Sequence, residues 1–187
     1  MSASTWLTGH FLIAMPTLRD PNFARGVAYL CHHDAQGALG LLINRPSGMR
    51  LRDLLRHLDI TLSEPAFGEQ AVLIGGPVSP EVGFVLHERN GEWESSLAVG
   101  ERLCLTTSRD VLAAIARGEG PRRHLVALGY AGWSAGQLER EMLENAWLAV
   151  PADERVLFEA PLERRWEEAA ALVGVRIGDL GHWVGHA

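Results

Sequence analysis

Residues 29–46 read Tyr-Leu-Cys-His-His-Asp-Ala-Gln-Gly-Ala-Leu-Gly-Leu-Leu-Ile-Asn-Arg-Pro. Tyr29, Leu30 and Cys31 belong to an apolar run, Val27–His32, that reads as a strand. Asp34–Gly37 resembles a hairpin turn, because Asp and Gly tolerate its backbone angles. Leu39–Asn44 is then apolar without alternation until Arg45-Pro46. A strand apolar on both faces belongs in the middle of a sheet that helices cover.

Outward from this hairpin, Phe11–Met15 reads as a short strand stopped by Pro16, and Asp20-Pro21 marks 17–23 as a turn-rich loop. Leu51, Leu54, Leu55 and Leu58 follow helical spacing, so about 50–58 is a helix with one apolar face. Ala71–Ile74 is a buried-type strand ended by Gly75-Gly76-Pro77. Val82–His87 is another strand, and the Asn90-Gly91 turn predicts an antiparallel return from Trp93 onward. Arg102–Thr106 is a strand, and Ser108 starts a helix reaching about Arg117, with Asp110 in its first turn and Gly118 beyond its end. Leu125–Leu128 is a buried strand. Ser134 stands three residues before Gln137, the spacing of a capping box, and predicts a helix to Asn145 or Ala146. Trp147–Val150 reads as a strand bounded by Pro151. Pro161 starts a last helix with Leu162, Trp166, Ala169, Ala170 and Val173 on one face, and 174–187 is expected to be irregular. Hairpins beside helical crossovers predict an α+β fold: a single compact domain over 1–187 with a mixed, largely antiparallel sheet covered by helices.

The chain has 187 residues and a formal net charge of −6, and all 17 of its basic residues are arginine. Without lysine there is no Schiff base, no P-loop and no Ser-Lys dyad. Residues 1–60 hold six arginines and four acids, whereas 139–168 hold four arginines and nine acids. Short basic clusters stand at Arg50/Arg52/Arg56 and Arg122/Arg123, thin for the many phosphate contacts a duplex requires. Cys31 and Cys104 lie in apolar stretches and read as buried free thiols. No CxxC or other ligand spacing predicts a metal, and no motif predicts a cofactor. The first residues lack a basic leader and no apolar stretch reaches 18 residues, so a cytoplasmic location without membrane contact is expected.

Gly132-Trp133-Ser134-Ala135-Gly136 matches the nucleophile elbow of serine hydrolases, and Asp153 or Asp179 followed by His182 or His186 would complete the order. Against it, the preceding strand is expected to end at Leu128, no oxyanion loop is evident, and Ser134 explains itself as a helix cap. Gly75-Gly76-Pro77 reads as a sharp turn or an anion-accepting strand-end loop. His32 and His33 point to opposite faces, and one of them could meet Asp34, Asn44 or His87. His87-Glu88 is a possible acid–base pair. Arg19, His33, Asn44, Arg45, Gly75, Gly76 and His87 are therefore the candidate ligand residues for a small anion, should their loops converge. Trp93, Trp133, Trp147 and Trp166 read as packing residues. The acidic stretch after Glu139 is a solvated face or a docking site for a basic partner.

FLIAMPTLRDPNF at 11–23, YLCHHDAQGALGLLINRP at 29–46, GGPV at 75–78, GFVLH at 83–87, LTTSRDVL at 105–112 and LGYAGWSAGQLEREMLENAWL at 128–148 stand in one order. Over about 6–170 the chain resembles the YqgE/AlgH family of bacterial proteins. That resemblance implies a compact α/β protein with a mixed sheet and no settled activity. Some members are labelled transcriptional regulators, which need not mean DNA contact. The family's characteristic positions match Met15, Pro16, Asp20, Phe23, His33, Gly37, Gly40, Asn44, Pro46, Gly75, Gly76, Pro77 and His87, then Gly129, Gly132, Trp133, Gly136, Gln137 and Glu139. Gly26 departs from the family's usual serine or threonine. The expected function is a non-enzymatic regulatory or protein-interaction domain. A small-anion or nucleotide-like ligand binder and a Ser134 hydrolase are the alternatives. The acidic balance argues against direct nucleic-acid binding.

Overall fold

The computed structural model describes residues 6–180. In chain order the elements are β1 (His10–Ala14), β2 (Val27–Asp34), β3 (Gly37–Leu42), β4 (Pro46–Arg50), α1 (Leu51–His57), β5 (Ala71–Ile74), β6 (Val78–Glu88), β7 (Ser96–Val99), β8 (Leu103–Thr106), α2 (Arg109–Ala116), β9 (His124–Ser134), α3 (Gln137–Leu143), β10 (Trp147–Pro151), α4 (Glu154–Phe158), α5 (Arg165–Ala171) and α6 (Ile177–Leu180). The class is α+β, and of the strand pairs only β5 with β9 is parallel.

The chain forms two compact units, one from residues up to Asn44 and from Ala131 onward, the other from Arg45–Tyr130. In the first, β1 lies between β10 and β2, and β3 pairs with the C-terminal part of β9. Its core joins Leu12, Ala14, Ala28, Leu30, Leu42, Trp133, Leu138 and Trp147. Phe23, Trp133 and Trp147 contact one another as rings, as packing residues would. Gly40 makes room for this: a Cβ there would meet the Tyr29 carbonyl oxygen at 3.0 Å and the Trp133 ring at 3.3 Å.

In the second unit the N-terminal part of β9 pairs with β5 and β6, β6 with β8, and β8 with β7. Leu51, Leu54 and Leu55 of α1 and Val111, Leu112 and Ile115 of α2 pack with Val72, Val85 and Val126 of the strands. The leucine spacing thus became the buried face of α1, as amphipathic periodicity requires.

Several expectations need correction. The strand following Asn90-Gly91 begins at Ser96 and pairs with β8, not with β6. Glu94 and Ser95 are instead tied by their N–H groups to Asp110 and Ser108 at the start of α2. The strand expected to end at Leu128 continues to Ser134, because its second half finds new partners in β3. Ser134 does not cap α3: Gly136, with φ +75°, is the capping residue. Two short elements, β4 and α4, were not expected, and the supposedly irregular tail contains α6. Asp153 caps α4 by accepting the N–H groups of Arg155 and Val156. Val173 is exposed instead of lining the last helix's apolar face.

Gly129 shows why the turn at 75–77 and β9 fit. Its φ is +73°, and a Cβ would run into the Gly76 carbonyl oxygen. The Gly75 N–H donates to the Leu128 carbonyl. Gly129→Ala should therefore destabilise the protein by at least about 2 kcal/mol in urea unfolding. Gly100→Ala, also at positive φ but with open space around it, should cost only about 1 kcal/mol. Equal losses would show that the close approach is not a constraint.

Candidate functional site

The two candidate histidines are fixed by opposite tautomers. His33, buried on β2, accepts the Leu7 N–H at Nδ1 over 3.1 Å. Its proton therefore sits on Nε2, which donates to Glu139 Oε1 at 2.8 Å. The His33 backbone N–H donates to the Thr8 hydroxyl, and the Trp6 ring stands edge-on at 5.2 Å. His33 thus ties the segment before β1 to α3. The Glu139 carboxylate lies below its ordinary range, held there by its own backbone N–H and by His33. His32 points the other way and is exposed, bonded to Asp34 at 2.9 Å.

His87 on β6 has no exposed surface. Its Nδ1 donates to the Glu88 carbonyl at 2.6 Å, which leaves Nε2 to accept the Thr106 hydroxyl proton at 2.7 Å. Thr106 in turn accepts from Ser96 at 2.8 Å. These hydroxyls and the ring form a directed chain across three strands. His124 stands opposite His87 on β9, and both of its ring nitrogens face oxygen acceptors, Nδ1 the Pro121 carbonyl and Nε2 Gln70 Oε1, so a neutral ring donates to one of them at a time. Burial pushes the pKa of both histidines down, and His87 lowers that of His124 further.

The remaining candidates divide between the two units. Arg19 is exposed in the loop after β1. Asn44 is used by its own surroundings: Oδ1 accepts the Val27 N–H and Nδ2 donates to the Arg25 carbonyl, both at 2.9 Å. Arg45 accepts the Ile74 N–H through its carbonyl. Gly75 and Gly76 are buried against β9, so their turn serves packing there. In the first unit, His33 and Asn44 bond to different partners, and so do Gly75 and His87 in the second.

Ser134 is exposed, and its hydroxyl lies 3.2 Å from Gln137 Oε1, which also accepts the Ser134 N–H at 2.9 Å. His182 and His186 lie outside the described residues. The basic clusters differ in their surroundings. The guanidinium groups of Arg50 and Arg52 both bond Glu69, whereas Glu88 accepts the backbone N–H groups of Arg122 and Arg123. Cys31 and Cys104 are free and buried, and burial raises the Cys31 thiol pKa. Among the described residues no three His, Cys, Asp or Glu side chains gather as metal ligands, and no helix is long and apolar enough to cross a membrane.

A family model described as AlgH-like matches residues 11–178. The chain belongs to the AlgH-like family. A UPF0301 protein of Methylococcus capsulatus is 56% identical over 185 residues, covering 99% of this chain and 98% of its own length. A second, from Nitrosococcus oceani, is 49% identical with both chains fully covered. The solution structure of the AlgH protein from Pseudomonas aeruginosa is similar with a TM-score of 0.80 and 49% identity, covering 100% of this chain and 99% of that one. A Corynebacterium diphtheriae protein shares the fold at 20% identity, with a TM-score of 0.70 over 90% of this chain and 87% of its own.

The buried pair predicts a pH dependence. The unfolded chain takes up histidine protons near pH 6.5, before the folded protein does. Stability is therefore complete above about pH 6.5 and falls below it, by up to about 1.4 kcal/mol per pH unit for each histidine. Urea unfolding between pH 8 and 5 should show this slope, and His87→Gln should make it shallower. An unchanged slope in the variant would show that His87 is not held neutral.

Proposed function

We propose that this AlgH-like protein is a non-enzymatic interaction or regulatory domain of the bacterial cytoplasm. One observation carries the reading: Ser134, His33 and His87, the side chains singled out for catalytic chemistry, are engaged by neighbouring groups of the scaffold. A serine nucleophile needs a neighbouring base to take its proton. Ser134 has the Gln137 amide oxygen there, which cannot take one. A general base needs a ring nitrogen open to substrate. Both nitrogens of His33 and of His87 are engaged internally.

The surface offers a docking feature instead. Leu143, at the end of α3, is 84% exposed, and Glu139, Glu144 and Asn145 beside it are exposed too. A solvated leucine among acids suits a partner with an apolar pocket and a basic rim. The paired arginines of α1 and the net charge of −6 support a protein partner over a duplex.

Two measurements test the proposal. A photo-crosslinking residue at 143 should yield a discrete adduct in living bacteria, reduced about ten-fold by Glu144→Arg. A fluorophosphonate probe should leave Ser134 unlabelled. Labelling that disappears in Ser134→Ala, or no adduct at 143, would contradict the reading.

A further inference from the structure

The chain has four asparagines, at 22, 44, 90 and 145, and of these Asn90 alone precedes a glycine. An asparagine side chain can be attacked by the main-chain nitrogen of the following residue, once that nitrogen is uncrowded and gives up its proton. At three of the four the structure works against this. The Phe23 N–H donates to the Asp20 carbonyl and the Ala146 N–H to the Glu141 carbonyl, both at 2.9 Å. The Asn44 amide is itself engaged, Oδ1 by the Val27 N–H and Nδ2 by the Arg25 carbonyl.

Asn90 and Gly91 lie exposed between β6 and β7, outside any helix or strand. Gly91, with φ +81°, carries no side chain to shield its nitrogen. Trp93 folds back onto this peptide unit. Its indole N–H donates to the Asn90 carbonyl at 3.0 Å, and a Cβ on Gly91 would lie 3.0 Å from its ring carbon Cζ2. That carbonyl belongs to the same amide whose nitrogen would attack. When the Gly91 nitrogen loses its proton, negative charge spreads onto the Asn90 oxygen, where the indole donor stands. A donor already aimed at developing charge lowers the barrier to forming it. Trp93 is held in place from behind: it packs against the core under α1 and α2 and meets the His87 ring edge-on, with centroids 6.3 Å apart.

We propose that Asn90 is a self-modification site, converted through a cyclic imide to aspartate and isoaspartate, with the Trp93 indole as hydrogen-bond donor to the attacking amide. Solvent takes the Gly91 amide proton. The nitrogen bonds Asn90 Cγ, the Cγ–Nδ2 bond breaks, and Nδ2 leaves as ammonia with a proton from water. Water then opens the ring. Addition at Cγ breaks its bond to the Gly91 nitrogen and leaves aspartate. Addition at the main-chain carbonyl breaks the original peptide bond, and the chain runs on through Cγ as isoaspartate. The steps consume one water, release one ammonia and transfer no electrons. Either product adds to the turn a carboxylate that is ionised at neutral pH. The isoaspartyl product also lengthens the main chain between β6 and β7, and its free carboxylate is a substrate for enzymes that methylate such groups. The site stands independently of the interaction reading, since it uses neither Ser134 nor Leu143.

The test is incubation of the folded full chain at neutral pH, followed by peptide mapping with mass spectrometry. Asn90 should gain the mass of an amide-to-acid exchange and yield both aspartyl and isoaspartyl peptides, while Asn22, Asn44 and Asn145 stay intact over the same time. Gly91→Ala should abolish the conversion. Trp93→Phe, which keeps an aromatic ring and removes the donor, should slow it about five-fold, the worth of one hydrogen bond. In urea, where that bond is lost, the natural chain and Trp93→Phe should convert at equal rates. No conversion at Asn90, conversion no faster than at Asn145, an unchanged rate in Gly91→Ala, or a rate in folded Trp93→Phe that equals or exceeds that of the natural chain overturns the proposal.

Discussion

Gly129 leaves no room for a side chain, and the course of the longest shared strand depends on that. Through Tyr130 β9 pairs with β5 and β6, and from Ala131 with β3. A Cβ here would meet the Gly76 carbonyl oxygen, and the positive φ is one that residues with side chains rarely adopt. The glycines at 75 and 76 are the other half of this constraint. They resemble an anion-binding loop in sequence, yet their role here is the close approach of two main chains.

The buried polar groups follow the same logic. A polar atom without water must find a partner, and leaving it unpaired costs about 1–3 kcal/mol. Ser96, Thr106 and His87 answer this with a one-way chain of donors that ends on the Glu88 carbonyl. His33 answers it with Leu7 on one side and Glu139 on the other. Groups able to do acid–base chemistry are thereby spent on architecture. His10 Nδ1, Glu141 Oε2 and Trp147 Nε1 are exceptions, buried with no hydrogen-bond partner among the described residues.

Periodicity made much of the scaffold legible. The unbroken apolar run at 39–44 became the buried end of β3 and the residues that follow it, and the leucines at 51, 54 and 55 became a helix face. What escaped was pairing between distant residues. Nothing local to Leu128 shows that β9 continues, since its extension depends on β3, about ninety residues earlier in the chain. Nothing in the Asn90-Gly91 turn shows that the returning chain passes over β6 to pair with β8. The site was legible as residue types only. His33, Asn44 and His87 were singled out, but Glu139 as the partner of His33 and Thr106 as that of His87 come together only through the fold.

The claim at the centre of this account is that the histidines serve the scaffold. Long-range nitrogen–proton NMR of the imidazole rings at pH 7.5 tests it most directly. His33 should show a protonated Nε2 and a bare Nδ1, His87 the reverse, and neither should exchange rapidly with solvent. A His33 or His87 ring that interconverts between tautomers, or whose protons exchange freely with water, would contradict the account.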